Sequence, residues 1–291
     1  MNDVHPIITI PVDLTNPGQF FACCGLLELA SRLDADSLGW FEKGLFQLST
    51  NRSFKILIDA IRHVEVVNTM TAQNKTRLAE LSAMSKQQRE RAGLEEEKKQ
   101  LDSLRREEPI AFGPPFELHI DWFHDEYAGG SRFKTWAGQQ SVLDIATAMH
   151  AGLKQVDSED ASSLWRLVRG GGLPFNLDSD LGSQGSPIDL GFSSDALAGN
   201  ETTRIESSCK PALEILAFIG LQRFRPREIP RQNRFVYVAW PQPLSPEVAA
   251  AVVCQAIKIE NTRAYEFRLL YRTKYLKSFL PAIPFQGDAN E

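Results

Sequence analysis

The sequence predicts an α+β fold: a mixed, largely antiparallel sheet with packed helices, from which a charged helix or helical hairpin projects. Strand-like and helix-like segments mix along the 291 residues without strict βαβ alternation. No internal repeat recurs at a solenoid period. One stretch, at about 71–108, is highly charged and lacks both proline and aromatic residues, so it reads as an insertion rather than as core. The expected organisation is one α+β domain over 1–291 that carries this helical insertion.

Taken in order, "IITIPVDL" (Ile7–Leu14) is mostly apolar on both faces and reads as an interior strand. Asn16 suits an N-cap and Pro17 the first helical position. Apolar residues then recur at Phe20, Phe21, Leu26, Leu27, Ala30 and Leu33, the period of a helix ending near Leu33. This strand-to-helix joint resembles the start of a phosphate-binding loop, yet Gly18 is its only glycine before the helix and no Lys-Ser/Thr follows. It is therefore a structural joint whose helix N-terminus still offers backbone N–H groups. "GWFEKGLFQLS" suggests a strand pair, and "FKILIDAIRHV" returns to a helical period.

From Asn74 to Glu108, nine Lys/Arg nearly balance eight Asp/Glu, and a thin apolar stripe runs through Leu78, Leu81, Met84, Leu94, Leu101 and Leu104. The expectation is a projecting helix or a hairpin turning near Gly93, more suited to partners or solvent than to phosphate. "FELHIDWF" (Phe116–Phe123) alternates as a strand does, and an amphipathic helix starts around Gln139. Gly170 to Asn200 is rich in Gly, Ser and Asp and reads as loop. "CKPALEILAFIGLQRF" is a buried helix, "RFVYVAW" a strand, "LSPEVAAAVVCQAI" a helix and "AYEFRLLYR" a strand.

Composition excludes several classes. The most apolar run, Ala212–Leu221, has ten residues and includes Glu214, about half of the ~20 that a membrane span needs. The N-terminal residues show neither a basic region nor a long apolar one, so no secretion signal is expected. Cys23, Cys24, Cys209 and Cys254 form no CxxC pair and no disulfide framework, which points to a reducing cytoplasm. Cys23 and Cys24 fall several residues inside the apolar helix and are expected to be buried. Net charge is −5, but Arg204 to Lys277 holds 13 Lys/Arg against 6 Asp/Glu, a local +7 that leaves −12 elsewhere. A basic face and a scatter of solvated charges both fit these counts.

"HIDWFHDE" gathers His119, Asp121, His124, Asp125 and Glu126, but no second histidine cluster completes a ligand set, and polar residues at a strand end explain it as well. No nucleophile-elbow, zincin, P-loop or dinucleotide motif occurs. The basic clusters carry more. "LQRFRPREIPRQNRF" interleaves arginines with Phe224 and Phe235, "FRLLYRTKYLKSFLP" pairs Arg268, Arg272, Lys274 and Lys277 with Tyr271 and Tyr275, and "RFKTW" adds Arg132, Lys134 and Trp136. Cations beside aromatics suit single-stranded nucleic acid, through phosphate contacts and base stacking. Core aromatics with basic surface neighbours would give the same pattern.

Four blocks, "IPVDLTNPGQFFACCGLLELA", "KTWAGQQ", "PALEILAFIGLQRFRP" and "YRTKYLKSFLPA", occur in this order across most of the chain. Together they resemble the small accessory subunit family of type I-U (also termed I-G) CRISPR loci, with only the 71–108 insertion unmatched. The resemblance implies a component of an RNA-guided antiviral surveillance complex that contacts guide RNA, target DNA or sister subunits. With no catalytic motif or ligand set in the residues, the expectation is a non-catalytic, cytoplasmic subunit without cofactor or metal. Ferredoxin-like modules are common in such complexes, and the mixed strand–helix pattern is compatible with ferredoxin-like elements. On this reading Lys134, Arg223, Arg225, Arg227, Arg272, Lys274 and Lys277 are the nucleic-acid-binding residues. Two alternatives stand beside it. One is a guide-RNA-processing ribonuclease with His119 or His124 as general base; the other is a protein scaffold that touches no nucleic acid.

Overall fold

The computed structural model describes residues 5–124, 131–136, 141–169, 172–180, 208–230, 232–272 and 275–286. These residues form the α+β architecture expected, with helices packed on small antiparallel sheets. Strands β1 (Ile8–Pro11), β2 (Leu38–Glu42) and β3 (Leu45–Ser49) make the first sheet, in the order β1-β3-β2. The β2–β3 pair anticipated from "GWFEKGLFQLS" turns at Lys43 and Gly44, both at positive φ (51° and 77°), the twist a two-residue hairpin needs. β1 corrects the expectation of an interior strand. It lies at the sheet edge, with Ile8 and Ile10 buried while Thr9 and Pro11 are exposed. A proline without an N–H is tolerated at such an edge.

Helix α1 (Pro17–Leu33) starts as its sequence dictates: the Asn16 side-chain oxygen accepts from the Gln19 amide at 3.3 Å, and Pro17 opens the first turn. Fourteen residues of α1 are buried, Cys23 and Cys24 among them. Burial pushes both thiols well above the ordinary cysteine range, so they are inert core residues.

After α2 (Phe54–His63), β4 (Val66–Asn68), β5 (Ile110–Phe112) and β6 (Leu118–Ile120) form a second sheet in chain order. The charged insertion fills the β4–β5 connection with three helices, α3 (Ala72–Ala83), α4 (Lys86–Ala92) and α5 (Glu95–Glu107). Gly93 ends α4 in the left-handed region (φ 68°), the turn expected there. A second break appears at Met84, where Ser85 and Gln88 build a capping box for α4. Leu78 and Leu81 are buried yet lie outside the main hydrophobic cluster, which runs from Ile8 to Ala282. The strand expected over Phe116–Phe123 stops at Ile120. Gln222 accepts from the Asp121 and Trp122 amides (3.0 and 3.1 Å), and a 3₁₀ turn carries Trp122 and Phe123 into the core.

Helix α6 (Val142–Ala151) begins two residues after Gln139–Gln140, which lie outside the described residues. The short pair β7 (Val168–Arg169) and β8 (Ser208–Cys209) precedes α7 (Pro211–Arg223), buried from Pro211 to Leu221. The last sheet has the order β12-β11-β10-β9, built from β9 (Arg227–Ile229), β10 (Arg234–Ala239), β11 (Arg263–Arg272) and β12 (Tyr275–Phe279). β13 (Ile283–Pro284) also pairs with β11, and α8 (Pro246–Val253) lies between β10 and β11 in sequence. Among the described strands none shows the interleaved order of a ferredoxin-like unit. Backbone bonds from Gly39 to Leu244 (2.9 Å) and from Phe41 to Trp240 (2.8 Å) stitch the first sheet to the chain beyond β10.

α1 and α7 cross at two glycines. A Cβ on Gly25 would lie 2.0 Å from the Leu216 carbonyl oxygen, and one on Gly220 would lie 2.1 Å from that of Phe21. Both obstacles are backbone, so no rotamer change relieves them. Gly25→Ala is expected to destabilise the protein by about 3 kcal/mol or more, measured by chemical denaturation; an unchanged midpoint would show that the helices can separate freely. By contrast, replacing residues 71–107 by a short Gly/Ser linker should leave the melting temperature within a few degrees, because the β4–β5 register continues into a hairpin without them. A variant that aggregates would show the insertion to be part of the core.

Candidate nucleic-acid interface

The segment Arg223-Phe224-Arg225-Pro226-Arg227 leaves α7 and enters β9 with a period of two. Phe224 and Pro226 are buried, whereas Arg225 and Arg227 are half-buried and Arg223 is exposed. The Phe224 ring lies parallel to Trp240 at 6.5 Å, which anchors the segment between its arginines. An alternating cation–aromatic sequence thus becomes a basic edge on an apolar anchor.

"RFKTW", some ninety residues earlier, is brought to the same sheet by one side chain. Phe133 is buried, with its ring centroid 4.8 Å from Phe235, 5.7 Å from Phe279 and 6.2 Å from Phe267, so it sits over β10, β11 and β12. Its neighbours follow. Arg132 forms an ion pair with Glu228 on β9, and Lys134 holds its ammonium 5.8 Å from the centre of the Trp136 ring. Tyr271 on β11 is 42% exposed and feels the same two charges: burial pushes its phenol above the ordinary range, Arg132 opposes this and Glu228 adds to it. Three separate sequence clusters therefore meet at one end of the last sheet.

Arg272 ends β11, opposite Tyr275. Lys277 is the extra residue of a β-bulge, since Leu270 faces Ser278 while Tyr271 already faces Leu276. Lys274 and Arg231 lie outside the described residues, as do Asp125 and Glu126. Arg223 is placed differently from the rest. Its Nη2 donates to Glu28 at 3.2 Å, its Nη1 lies 3.6 Å from Glu247, and the Glu28 bond holds its guanidinium above the ordinary value. Glu28 is 2% exposed and also accepts from Arg32 at 2.9 Å, so Arg223 closes a buried charge that α1 alone leaves half-neutralised. Its first task is to join two helices. His119 stands exposed on β6, in another sheet, and among the described residues no three His, Cys, Asp or Glu side chains gather as a metal site.

Beneath this edge lies a polar cluster that no sequence motif announces. Asn16 donates to Asp178 at 2.7 Å, and Lys210 lies 2.9 Å from the other Asp178 oxygen, close enough for an ion pair although not aligned as a hydrogen bond. Glu214, 1% exposed, accepts from the amides of Leu177 and Asp178 at 3.0 to 3.1 Å. Burial pushes the Glu214 carboxyl up to about 8, the Asp178 charge adding to it while the two amides pull back. The Cys209 thiol is pushed up to about 12 by burial and by these two carboxylates. For Lys210, burial pulls the ammonium down, but Asp178 and Asp180 outweigh it and hold it above its ordinary value. The cluster pins the irregular segment Phe175–Asp178, in which Asn176 takes positive φ (61°); its Phe175 carbonyl accepts from Thr135 and the Phe175 ring stacks on Phe218 at 4.3 Å. It thus supports "RFKTW" from below. The signals available were Glu214, the only charge in an apolar run of ten residues, and the N-cap Asn16. Asp178 gave none, because it falls in a stretch that reads as loop.

Comparison with known proteins returns no family model, no curated protein and no solved structure that matches the chain. Among the described residues no helix is long and apolar enough to cross a membrane.

The raised Glu214 carboxyl has a consequence for stability. Between its ordinary 4.5 and about 8 the folded chain keeps a proton that the unfolded chain releases. The contribution is fully present below the lower value and is lost as pH rises through the upper one, at a slope of up to about 1.4 kcal/mol per pH unit for one proton. Glu214→Gln should flatten this decline across that window when stability is followed by urea denaturation. An equally steep decline in the variant would assign it to another group.

Proposed function

We propose that the chain is a non-catalytic subunit of a type I CRISPR RNA-guided surveillance complex, in which the β9–β12 end of the last sheet holds single-stranded guide RNA or target DNA. The observation that carries this reading is the docking of Phe133 on β10, β11 and β12, which draws Arg132 and Lys134 to the strands bearing Arg227, Tyr271 and Arg272. Cations from distant segments on one rigid edge, beside an exposed tyrosine, match what a flexible strand needs: fixed charges for phosphates and a ring for a base. The four blocks that resemble the type I-U accessory family support the complex to which such an edge would belong. The ribonuclease alternative is not favoured by the geometry: of its candidate bases, His119 sits on β6, in a different sheet from the basic strands, and His124 lies in the 3₁₀ turn that follows β6.

Replacing Arg272, Lys274 and Lys277 together by Glu should weaken binding of guide RNA by roughly 100-fold or more, and should lower the slope of log affinity against log salt by about 0.7 for each phosphate that is no longer neutralised. Salt-titrated binding of wild type and variant, alone and in the complex reconstituted with neighbouring subunits, measures both. A folded variant with wild-type affinity and slope would overturn the proposal.

A further inference from the structure

A second site lies away from the basic edge. The insertion helices α3 and α5, the residues after β4, and α6 enclose a groove of about 360 Å³, within the size range of small-ligand pockets. Its walls are apolar at Met70, Leu78 and Leu143. Asn68 also lines it and is 3% exposed. The Asn68 amide nitrogen donates one hydrogen to the Arg105 carbonyl at 3.3 Å, while its side-chain oxygen has no hydrogen-bond partner at all. Leaving a buried acceptor unpaired costs roughly 1–3 kcal/mol, so a donor that reaches it recovers that cost. Lys75 and Arg105 stand at the same groove. The Lys75 ammonium donates to the Asn68 backbone carbonyl at 3.0 Å, and Arg105 donates to Asp144 at 2.7 Å with its side chain still 41% exposed. The one carboxylate in the lining, Asp102, is already paired with Lys98.

We propose that this groove binds an adenine nucleotide. The apolar side chains Met70, Leu78 and Leu143 in the lining suit a base. The Asn68 amide, with a free oxygen and one remaining N–H, matches the N6–H donor and adjacent ring-nitrogen acceptor of adenine, the pairing by which asparagine reads this base elsewhere. Lys75 and Arg105 supply charge for the phosphate. The ligand is either a free nucleotide or one unstacked adenosine of a bound strand; the chemistry is the same. The site shares no residue with the β9–β12 edge, so the two proposals fail separately.

The test uses the full chain and calorimetric titration with AMP, CMP, GMP, UMP and adenosine, together with short single strands carrying one adenine or none. AMP is expected to bind most tightly among the mononucleotides, with adenosine weaker for want of the phosphate. Saturation by AMP assigns the free nucleotide. Preference for the adenine-containing strand without measurable AMP binding assigns the strand. Asn68→Asp keeps the shape but removes the amide donor, and should weaken adenine binding by 10-fold or more, the lower part of the discrimination a bidentate pair provides. Should that buried variant not fold, Ala79→Trp, at an exposed position in the groove lining, blocks the cavity without touching the core and should abolish binding. No adenine preference in either format, or full retention of it in folded Ala79→Trp, would overturn the proposal.

Discussion

The close crossing of α1 and α7 is the constraint on which the rest of the structure depends. Gly25 and Gly220 each meet the backbone of the opposite helix, an approach that exists only because neither carries a Cβ. Helices at this separation have one allowed register along their axes. That register aligns two polar contacts at opposite ends: Arg223 meets Glu28 where α7 ends, and the Glu214 and Asn16 clusters meet where both helices begin. It also presents Phe20 and Phe21 to Tyr237 of β10 at 4.3 and 5.6 Å, and Tyr237 in turn donates to the Leu14 carbonyl just before α1. A helix buried on nearly all sides has no solvent face to correct a slip, so a shift of one residue would break all of these interactions together.

Buried charge is affordable here only because each group is answered. Glu28 has two guanidinium partners, Asp178 has Lys210 and Asn16, and Glu214 has two backbone amides. Of these, Glu214 lacks a cation, and its carboxyl is the one pushed to about 8. At neutral pH it therefore sits mostly protonated beside Asp178. A glutamine of the same shape would keep one oxygen, and Glu214 Oε1 already accepts from both the Leu177 and Asp178 amides, so the carboxyl differs from it chiefly in being able to ionise.

Local signals in the sequence were readable wherever the chemistry is local. Asn16-Pro17 declares the start of α1, Lys43-Gly44 the hairpin, Gly93 the end of α4, and the apolar run from Phe235 to Ala239 a strand, which is buried on both faces. What could not be read depends on partners far along the chain. β1 looked interior because Thr9 and Pro11 are not strongly polar, yet it has a neighbour on one side only. The strand at Phe116–Phe123 ends early because Gln222, a hundred residues later, takes the amides of Asp121 and Trp122. Arg223 looked like one more cation of a binding cluster until Glu28 appeared beside it. For the candidate interface, the composition of each basic segment was legible, but their meeting point was not. That meeting rests on Phe133, a single apolar residue among cations, which no motif marks.

Pairing and binding are not opposed at this edge. An arginine carries five N–H donors, so Arg132 bonded to Glu228 retains donors for a phosphate, and the ion pair holds its guanidinium in place beforehand. Glu228 nevertheless sets a local cost, because a phosphate arriving there approaches a carboxylate as well. The balance is decided over short distances. At physiological salt a charge is screened beyond about 8 Å, so the −12 carried by the remainder of the chain acts weakly on the basic edge. A net charge of −5 is therefore compatible with one locally basic edge.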